Sequence, residues 1–264
     1  YLATPIFLHA PQAIQALRAG KHVLVEKPMA LTVAEGEEMV ATAQKMGGTL
    51  GVAYFRRFYP KIARVRELLE QGSLGNVVQV VSIYHTWYNP APDDPKAWRV
   101  QKERAGGGVL WDMGSHRFDL LVGLFGMPQT LFARNDTLTH GYGVEDTSSV
   151  FLIFPNGAHC VSTWNWNCRT WIDHLSIIGT LGKVVLEPMD SPHLTLIIGG
   201  NCRQDTYEED FPLPENVHLP MIEDFVSALE EGRPPLESGK EGLKTNRILA
   251  AIEESTRSGK MVAV

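Results

Sequence analysis

Apolar and polar positions follow two different rhythms along the chain, and the change falls near residue 54. In the first part, Pro11–Gly20 and Thr32–Met46 carry apolar side chains at helical spacing, and the second of these stretches begins with a capping box. Short apolar runs at 22–25 and 50–53 are of the kind that is buried on both faces of a sheet. Strand, helix, strand, helix and strand at these lengths predict a doubly wound parallel sheet.

Beyond residue 54 the pattern predicts a mostly antiparallel sheet with helices. The strand at 76–88 alternates throughout and is too long for a typical parallel unit. Shorter strands are predicted at 130–134, 147–154, 158–166, 171–178 and 183–187, with helices at 60–71, 114–125, 218–231 and 239–258. Pro155-Asn-Gly157 and Gly179-Thr-Leu-Gly182 are typical of hairpins, and 89–108 is predicted to be a polar loop. The fold class is therefore α/β plus α+β, in which a parallel sheet is followed by a mostly antiparallel open-sheet α+β domain.

The composition excludes several classes of protein. Of the 264 residues, 44% are hydrophobic and 20% are charged, which excludes disorder or a coiled coil as the main organisation. A formal charge of −6 argues against a nucleic-acid partner, and the sequence has no uncharged apolar run long enough to span a membrane. The three cysteines form no paired motif, the histidines lack metal-ligand spacing, and neither a P-loop nor a serine nucleophile elbow occurs. A small-molecule partner remains, and no metal site is predicted.

One segment with residue types suited to catalysis is Glu26-Lys27-Pro28. It follows the predicted strand at 22–25, and open α/β sheets bind their ligands at the carboxyl ends of the strands. An ammonium group at that place can point into a cleft. The alternative is a surface lysine in a turn, and the segment alone does not decide between the two.

A second such segment runs from Gly106-Gly107-Gly108 to His116. Asp112 and His116 are four residues apart, so they share one face if the helix has already begun. Histidine suits proton transfer near neutral pH, and a carboxylate can orient it; the alternative is that Asp112 caps the helix and His116 packs against it. Trp98-Arg99, in the preceding loop, offers a flat apolar wall and a hydrogen-bonding charge, or else an exposed loop with one anchoring aromatic side chain.

In order and spacing, these segments resemble the Gfo/Idh/MocA family of NAD(P)-dependent oxidoreductases over nearly the whole chain. The matching residues are Ala3-Thr4-Pro5, His9, the stretch from Gly20 to Pro28, Arg56-Arg57-Phe58, Trp98-Arg99, Gly106-Gly107-Gly108, Asp112, Gly114, His116 and Asp119. The Glu-Lys-Pro box followed by an Asp and a His four residues apart is the specific part of the match.

The resemblance implies a role for each matching residue. Lys27 lies beside the nicotinamide and the substrate hydroxyl, Asp112 binds the substrate, and His116 is the general acid/base. The residues implied to contact the cofactor, NAD or NADP, are Thr4, Pro5, His9, Glu26, Lys27, Pro28, Trp98 and Arg99. We expect Asp112 to raise the pKa of His116 and the Lys27 ammonium to lower it.

The resemblance also implies how the chain is divided. Residues 1–54 are expected to be part of a Rossmann-type dinucleotide-binding domain, and residues 55–264 a substrate-binding and oligomerisation domain. Tyr1 opens the chain at what resembles a strand end. We therefore expect the family's glycine-rich pyrophosphate loop, and the residue that selects NAD or NADP, to precede it; the choice between the two cofactors stays open.

The expected function is hydride transfer between nicotinamide and a hydroxyl carbon of a sugar, polyol or related cyclic alcohol. Two alternatives are a glycosidase that oxidises its substrate transiently and a non-catalytic dinucleotide-sensing regulator, although a sensor has no need of Lys27, Asp112 and His116 together. We further expect a cytoplasmic homo-oligomer, a dimer or tetramer formed through an apolar sheet face. Its partner is a small polar substrate, with no nucleic acid or membrane partner.

Overall fold

The parallel sheet predicted for the first part of the chain is present in the computed structural model, which describes residues 1–200 and 203–264. Cys202, one of the three cysteines, lies outside the described residues. The first elements are α1 (His9–Arg18), β1 (Val23–Val25), α2 (Val33–Met46) and β2 (Leu50–Val52). β1 and β2 pair in parallel, with Val23 opposite Leu50, and Leu2 adds a parallel bridge to Val25. The carboxyl ends of these strands therefore meet at one edge of the sheet.

The helix boundaries follow from local chemistry. The predicted capping box of α2 is confirmed, because the Glu35 N–H donates to Thr32 Oγ1 over 3.1 Å and the Thr32 N–H donates to Glu35 Oε2 over 3.0 Å. The helix ends at Gly47, whose φ of +64° is open to glycine without strain. α1 begins at His9, two residues before the predicted start, since Pro11 fits the first turn, where its missing N–H is not needed.

The rest of the chain is one large sheet with helices. Its elements are α3 (Pro60–Glu70), β3 (Val77–Trp87), α4 (Lys102–Ala105), α5 (Ser115–Phe125), β4 (Thr130–Asp136), β5 (Thr147–Ile153), β6 (His159–Asn165), β7 (Asn167–Gly179), β8 (Gly182–Leu186), β9 (His193–Gly200), β10 (Arg203–Asp210), α6 (Leu219–Glu231), α7 (Gly239–Ser258) and β11 (Val262–Ala263). The nine strands stand in the order β10-β9-β8-β7-β3-β6-β5-β4-β11. Every pairing is antiparallel except β3 with β6, so the mostly antiparallel prediction is confirmed.

Three strands and five short helical segments were not predicted from the sequence, among them the 3₁₀ turns at 6–8 and 55–58. β10 is exposed on nearly every residue, so it lacks the alternation that marks a half-buried strand, and β11 has two residues. β9 ends in a glycine pair that hides its pattern. The predicted loop at 89–108 contains a 3₁₀ turn at 97–100 and α4, and a helical turn at 110–114 precedes α5.

One face of the large sheet is covered by helices and the other is open. On the covered face, cross-strand partners Val80, Cys160, Leu152 and Leu131 form a fully buried row against which α5 and α7 pack. One position along each strand, the opposite face carries a second row of apolar side chains: Val81, Val161, Phe151 and Phe132. Val161 and Phe132 are each 41% exposed, so this row has no cover in the described structure. Among the helices described, none has the length and apolar character needed to cross a membrane.

Arg57 fastens the helices together. Its guanidinium is buried, Nη2 donates to Asp119 Oδ1 on α5 over 2.8 Å, and Nε lies 2.8 Å from Glu237 Oε1 just before α7. A Cβ at Gly123 would stand 2.9 Å from Arg57 Nε, so the helix approaches this side chain closely. The ion pairs of Arg57 therefore stabilise the packing of the helices.

Candidate active site

The edge of the parallel sheet brings several predicted residues together. β1 ends directly before Glu26-Lys27-Pro28, and Thr4 follows the Leu2 bridge at the same edge. His9 ties the two strand ends, because its buried ring lies 3.0 Å from the Pro28 carbonyl through Nδ1 and 2.8 Å from the Thr4 carbonyl through Nε2. Burial lowers the pKa of His9, so the neutral ring donates to one carbonyl at a time. His9 thus fixes the strand ends relative to each other.

Lys27 and Asp112 form the charged centre of the site. Lys27 Nζ donates to the Asp112 backbone oxygen over 2.6 Å and to Asp112 Oδ1 over 3.1 Å, while Arg99 Nη1 lies 3.6 Å from Asp112 Oδ2. Burial lowers the pKa of Lys27, and the Asp112 charge opposes that shift. Burial alone would raise the pKa of Asp112, but Lys27 and Arg99 hold it below its ordinary value. Asp112 therefore stays ionised and favours the ammonium form of Lys27.

A glycine-rich turn lets the chain approach this centre. Leu110–Gly114 form a π-helical turn that carries Asp112, and the preceding glycines lie against the indole of Trp111. A Cβ on Gly107 would stand 2.1 Å from Trp111 Cδ1, a separation that no real pair of carbons tolerates. Because Gly107 has no side chain, the indole of Trp111 can pack against the backbone there and form a wall beside Asp112.

Lys27 and Asp112 line a cleft of about 280 Å³. The predicted residues among its walls are Thr4, His9, Glu26, Lys27, Pro28, Trp98, Arg99 and Asp112, and the rest of the lining is Ala3, Ile6, Ala105, Gly107 and Trp111. Pro5 stands next to the cleft, where it begins the 3₁₀ turn Ile6–Leu8. Flat aromatic walls and a few convergent polar groups are the features that a planar nicotinamide with its ribose requires. The residues present therefore fit the nicotinamide half of NAD(P).

His116 lies outside the cleft lining, on the next turn of the helix from Asp112. Its ring packs edge-on against Tyr54 and Phe55, at centroid distances of 5.9 and 5.3 Å, and it is 6% exposed. Nδ1 is buried with no hydrogen-bond partner in residues 1–200 and 203–264, and no bond to Asp112 is formed there. Burial lowers the pKa of His116 well below 6.5, and nearby cations, Arg56 first among them, lower it further. The lowering expected from the Lys27 ammonium is present, and together with burial it outweighs the rise expected from Asp112, so His116 is a neutral base at neutral pH.

The sequence reasoning missed two charged pairs around His116. Arg56 donates to Asp190 through Nε over 2.9 Å and through Nη2 over 2.5 Å, and Arg117 pairs with Asp173. Both guanidinium groups keep a buried Nη1 without a partner among the described residues. Asp173 was the one usable signal, because it alternates on one face of β7 with the buried Leu175 and Ile177, and a buried carboxylate must be paired.

Comparison with known proteins identifies the same architecture. The model of the oxidoreductase family with an NAD-binding Rossmann fold matches residues 1–54, and that of the GFO/IDH/MocA C-terminal domain matches residues 62–185. The trans-1,2-dihydrobenzene-1,2-diol dehydrogenase of Mus musculus is 30% identical over 262 residues, which cover 96% of this chain and 72% of that protein. The 1,5-anhydro-D-fructose reductase of Ensifer adhaerens is 28% identical over 271 residues, covering 100% of this chain and 79% of the relative.

Solved structures agree with the sequence relatives. The aldose-aldose oxidoreductase from Caulobacter crescentus, complexed with glycerol, is 32% identical with a TM-score of 0.89, covering 100% of this chain and 78% of that one. A levoglucosan dehydrogenase in complex with NADH and levoglucosan is 27% identical, also with a TM-score of 0.89, covering 100% and 79%. On the family models, the relatives and the fold, this chain belongs to the Gfo/Idh/MocA family of NAD(P)-dependent oxidoreductases.

Proposed function

We propose that this protein transfers a hydride between nicotinamide and a hydroxyl carbon of a sugar, polyol or related cyclic alcohol. The observation that carries the proposal is the Lys27 ammonium, which Asp112 holds inside the cleft. Asp112 lies one helical turn before the neutral His116. A reductase of 1,5-anhydro-D-fructose and a dehydrogenase bound to levoglucosan, both similar to this chain, support a cyclic polyhydroxyl substrate.

Each residue of this group has a chemical task. Bound NAD(P) supplies the hydride acceptor or donor. Lys27 donates a hydrogen bond to the reacting oxygen and stabilises the negative charge that develops there. His116 takes the hydroxyl proton in the oxidative direction and returns it in the reductive one. Asp112 keeps Lys27 charged and oriented, and it accepts a hydrogen bond from a neighbouring substrate hydroxyl.

The cofactor contacts implied by the sequence stay a proposal. Thr4, Glu26 and Pro28 present polar and backbone groups to the cleft, and Trp98 and Arg99 also line it. Pro5 and His9 act by holding the strand ends in place. Arg56 and Arg117 lie near His116, each paired with a carboxylate, Asp190 and Asp173 respectively, and these donors and acceptors suit a polyhydroxyl substrate.

A cofactor-dependent screen tests the proposed function. The protein is incubated with NAD⁺ or NADP⁺ and a panel of aldoses, anhydrosugars and inositols, and reduced nicotinamide is followed by absorbance. We expect turnover with at least one cyclic polyol and a loss of turnover in His116→Asn, with exposed His159→Asn as the matched control. Absence of turnover across the panel with either cofactor, in both directions, contradicts the proposal.

A second candidate is an internal redox cycle, in which the hydride removed from one sugar is returned to another. The similarity to an aldose-aldose oxidoreductase favours it over a glycosidase or a regulator. With a substrate deuterated at the reacting carbon, this candidate predicts label in a second aldose without accumulation of reduced nicotinamide. Release of labelled NAD(P)H instead identifies a simple dehydrogenase, and glycoside cleavage without net redox change identifies the glycosidase.

We also propose that the open sheet face binds a second copy of the chain. Its apolar row on β3, β4, β5 and β6 is continuous across four strands, and Val161 and Phe132 stand exposed in it. Contiguous apolar surface of this kind is characteristic of interfaces. A charged substitution at the exposed Val161 tests this assignment.

A further inference from the structure

Glu145 contacts the helical turn Leu110–Gly114, which carries Asp112. Its Oε1 accepts a hydrogen bond from the Leu110 N–H over 3.2 Å, and the Gly108 N–H lies near enough to this carboxylate to lower its pKa. A Cβ on Gly108 would stand 2.0 Å from the Glu145 backbone oxygen, so the glycine turn and the loop before β5 are in direct contact. These N–H groups are the first of the helical turn that carries Asp112, where a helix leaves its donors unpaired.

Trp111 connects this contact to the active site. The indole lines both the nicotinamide cleft and a second cavity of about 930 Å³ on whose wall Glu145 lies. The charged groups that share this cavity with Glu145 are Lys102 on α4, Asp136 on β4, and Glu253, Glu254 and Arg257 on α7; Asp146 follows Glu145 in the loop before β5. A shift of Glu145 therefore moves the turn that holds both Trp111 and Asp112.

We propose that Glu145 is a positioning residue of the dehydrogenase site, whose carboxylate holds the Gly108–Leu110 turn and thereby aims Asp112 at Lys27. The inference rests on the proposed function for its consequence in catalysis, but its structural part stands alone. The carboxylate fits the task because a negative charge at a helix N-terminus is stabilised by the helix dipole, and it can accept from both N–H groups at once. A protonated carboxyl presents a hydrogen to one of these donors and loses that bond.

The charge state of Glu145 changes in a range that separates it from His116. Burial raises the pKa of Glu145 to about 7, against the backbone N–H groups that lower it, and Glu253 adds to the rise. The pKa of His116 lies well below 6.5. We therefore assign a loss of activity as the pH falls through about 7 to Glu145. In the folded protein its ionised carboxylate holds the turn, and protonation removes that carboxylate.

The test is the pH profile of kcat for the whole enzyme and its variants. We expect wild-type kcat to fall as the pH drops through about 7. Glu145→Gln copies the protonated shape, so we expect a kcat about 10- to 100-fold lower at pH 8, the loss typical of a misplaced group, with no inflection near 7 and a KM for substrate changed less than kcat. An inflection near 7 that persists in Glu145→Gln, or wild-type kcat in that variant, overturns the proposal.

Two further variants and a second readout keep the test decisive. Glu253→Gln removes the repulsion that raises the Glu145 pKa, so the inflection moves to lower pH, whereas the exposed Glu254→Gln leaves it in place. Without any cofactor or substrate, the difference in tryptophan fluorescence between a protein and its Trp111→Phe form isolates the signal of Trp111 from that of the other five tryptophans. A fluorescence transition near pH 7 that is absent in Glu145→Gln supports the holding role even if no oxidoreductase activity is found, and its persistence in the variant refutes it.

Discussion

Replacing Lys27 by methionine removes one positive charge from the cleft and keeps the length of the side chain. In the folded protein, Lys27 Nζ stands 3.1 Å from Asp112 Oδ1, an attraction of about 5 kcal/mol at an effective dielectric constant of about 20. Arg99 stays 3.6 Å from the other carboxylate oxygen and provides an attraction of similar size. Because Asp112 keeps this partner, we expect Lys27→Met to fold.

In the proposed catalytic step, no second cation replaces the Lys27 ammonium at the reacting oxygen. The Lys27 ammonium is the group we assign to the developing oxyanion, and loss of one preorganised donor costs about 3–4 kcal/mol, or about 10²- to 10³-fold in kcat. Lys27 also holds the pKa of Asp112 down, so its removal moves the protonation of Asp112 to higher pH.

Steady-state kinetics at several pH values measure both effects. Lys45→Met, which removes an exposed lysine near the end of α2, is the matched control for the loss of a charge. Circular dichroism establishes that Lys27→Met is folded. A folded Lys27→Met protein whose kcat stays within about threefold of wild type refutes the assigned role of Lys27, since even one lost donor costs far more.

Three further substitutions probe other parts of the molecule. His116→Asn should lower kcat by about 10²- to 10⁴-fold, and because burial holds the pKa of His116 well below 6.5, the acid limb that belongs to the wild-type imidazole should lie below that pH; a full kcat in this variant contradicts the base assignment. Gly107→Ala drives a Cβ into Trp111, so thermal unfolding should show about 1–3 kcal/mol of destabilisation and the KM for cofactor should rise, whereas Gly143→Ala meets open space and should change neither. Val161→Asp should convert the oligomer to monomers in analytical ultracentrifugation, while the equally exposed Met46→Asp on α2 should not; an unchanged sedimentation coefficient removes the open face from the interface.

The sequence predicted best where a local pattern alone determines the structure. The helix predicted at 239–258 coincides with α7, and the capping box located the start of α2, because caps and helical spacing act within a few residues. β10 was not predicted because its side chains are exposed on both faces of the sheet. Its sequence therefore lacks the alternation of apolar and polar residues that indicates a half-buried strand.

Most of the residues predicted for the site line one cleft, but the contacts between them were not predicted. Asp112 and His116 were expected to face each other at helical spacing, but the turn that carries Asp112 is π-helical and directs it to Lys27, 85 residues away. Arg56 meets Asp190 across 134 residues, a pairing that no local pattern encodes. Such contacts depend on how the sheet brings distant segments together.

The central place of β3 in the large sheet has a consequence for how the protein is made. Its two neighbours, β6 and β7, come much later in the chain, with β7 ending at Gly179. At about 5–20 residues per second, the ribosome needs about 5–20 s to add the residues between Trp87 and Gly179. During that time the apolar β3 has two unpaired edges, a state that favours aggregation and slow folding. Chaperone capacity during synthesis should therefore limit the yield of folded protein more than the stability of the finished sheet.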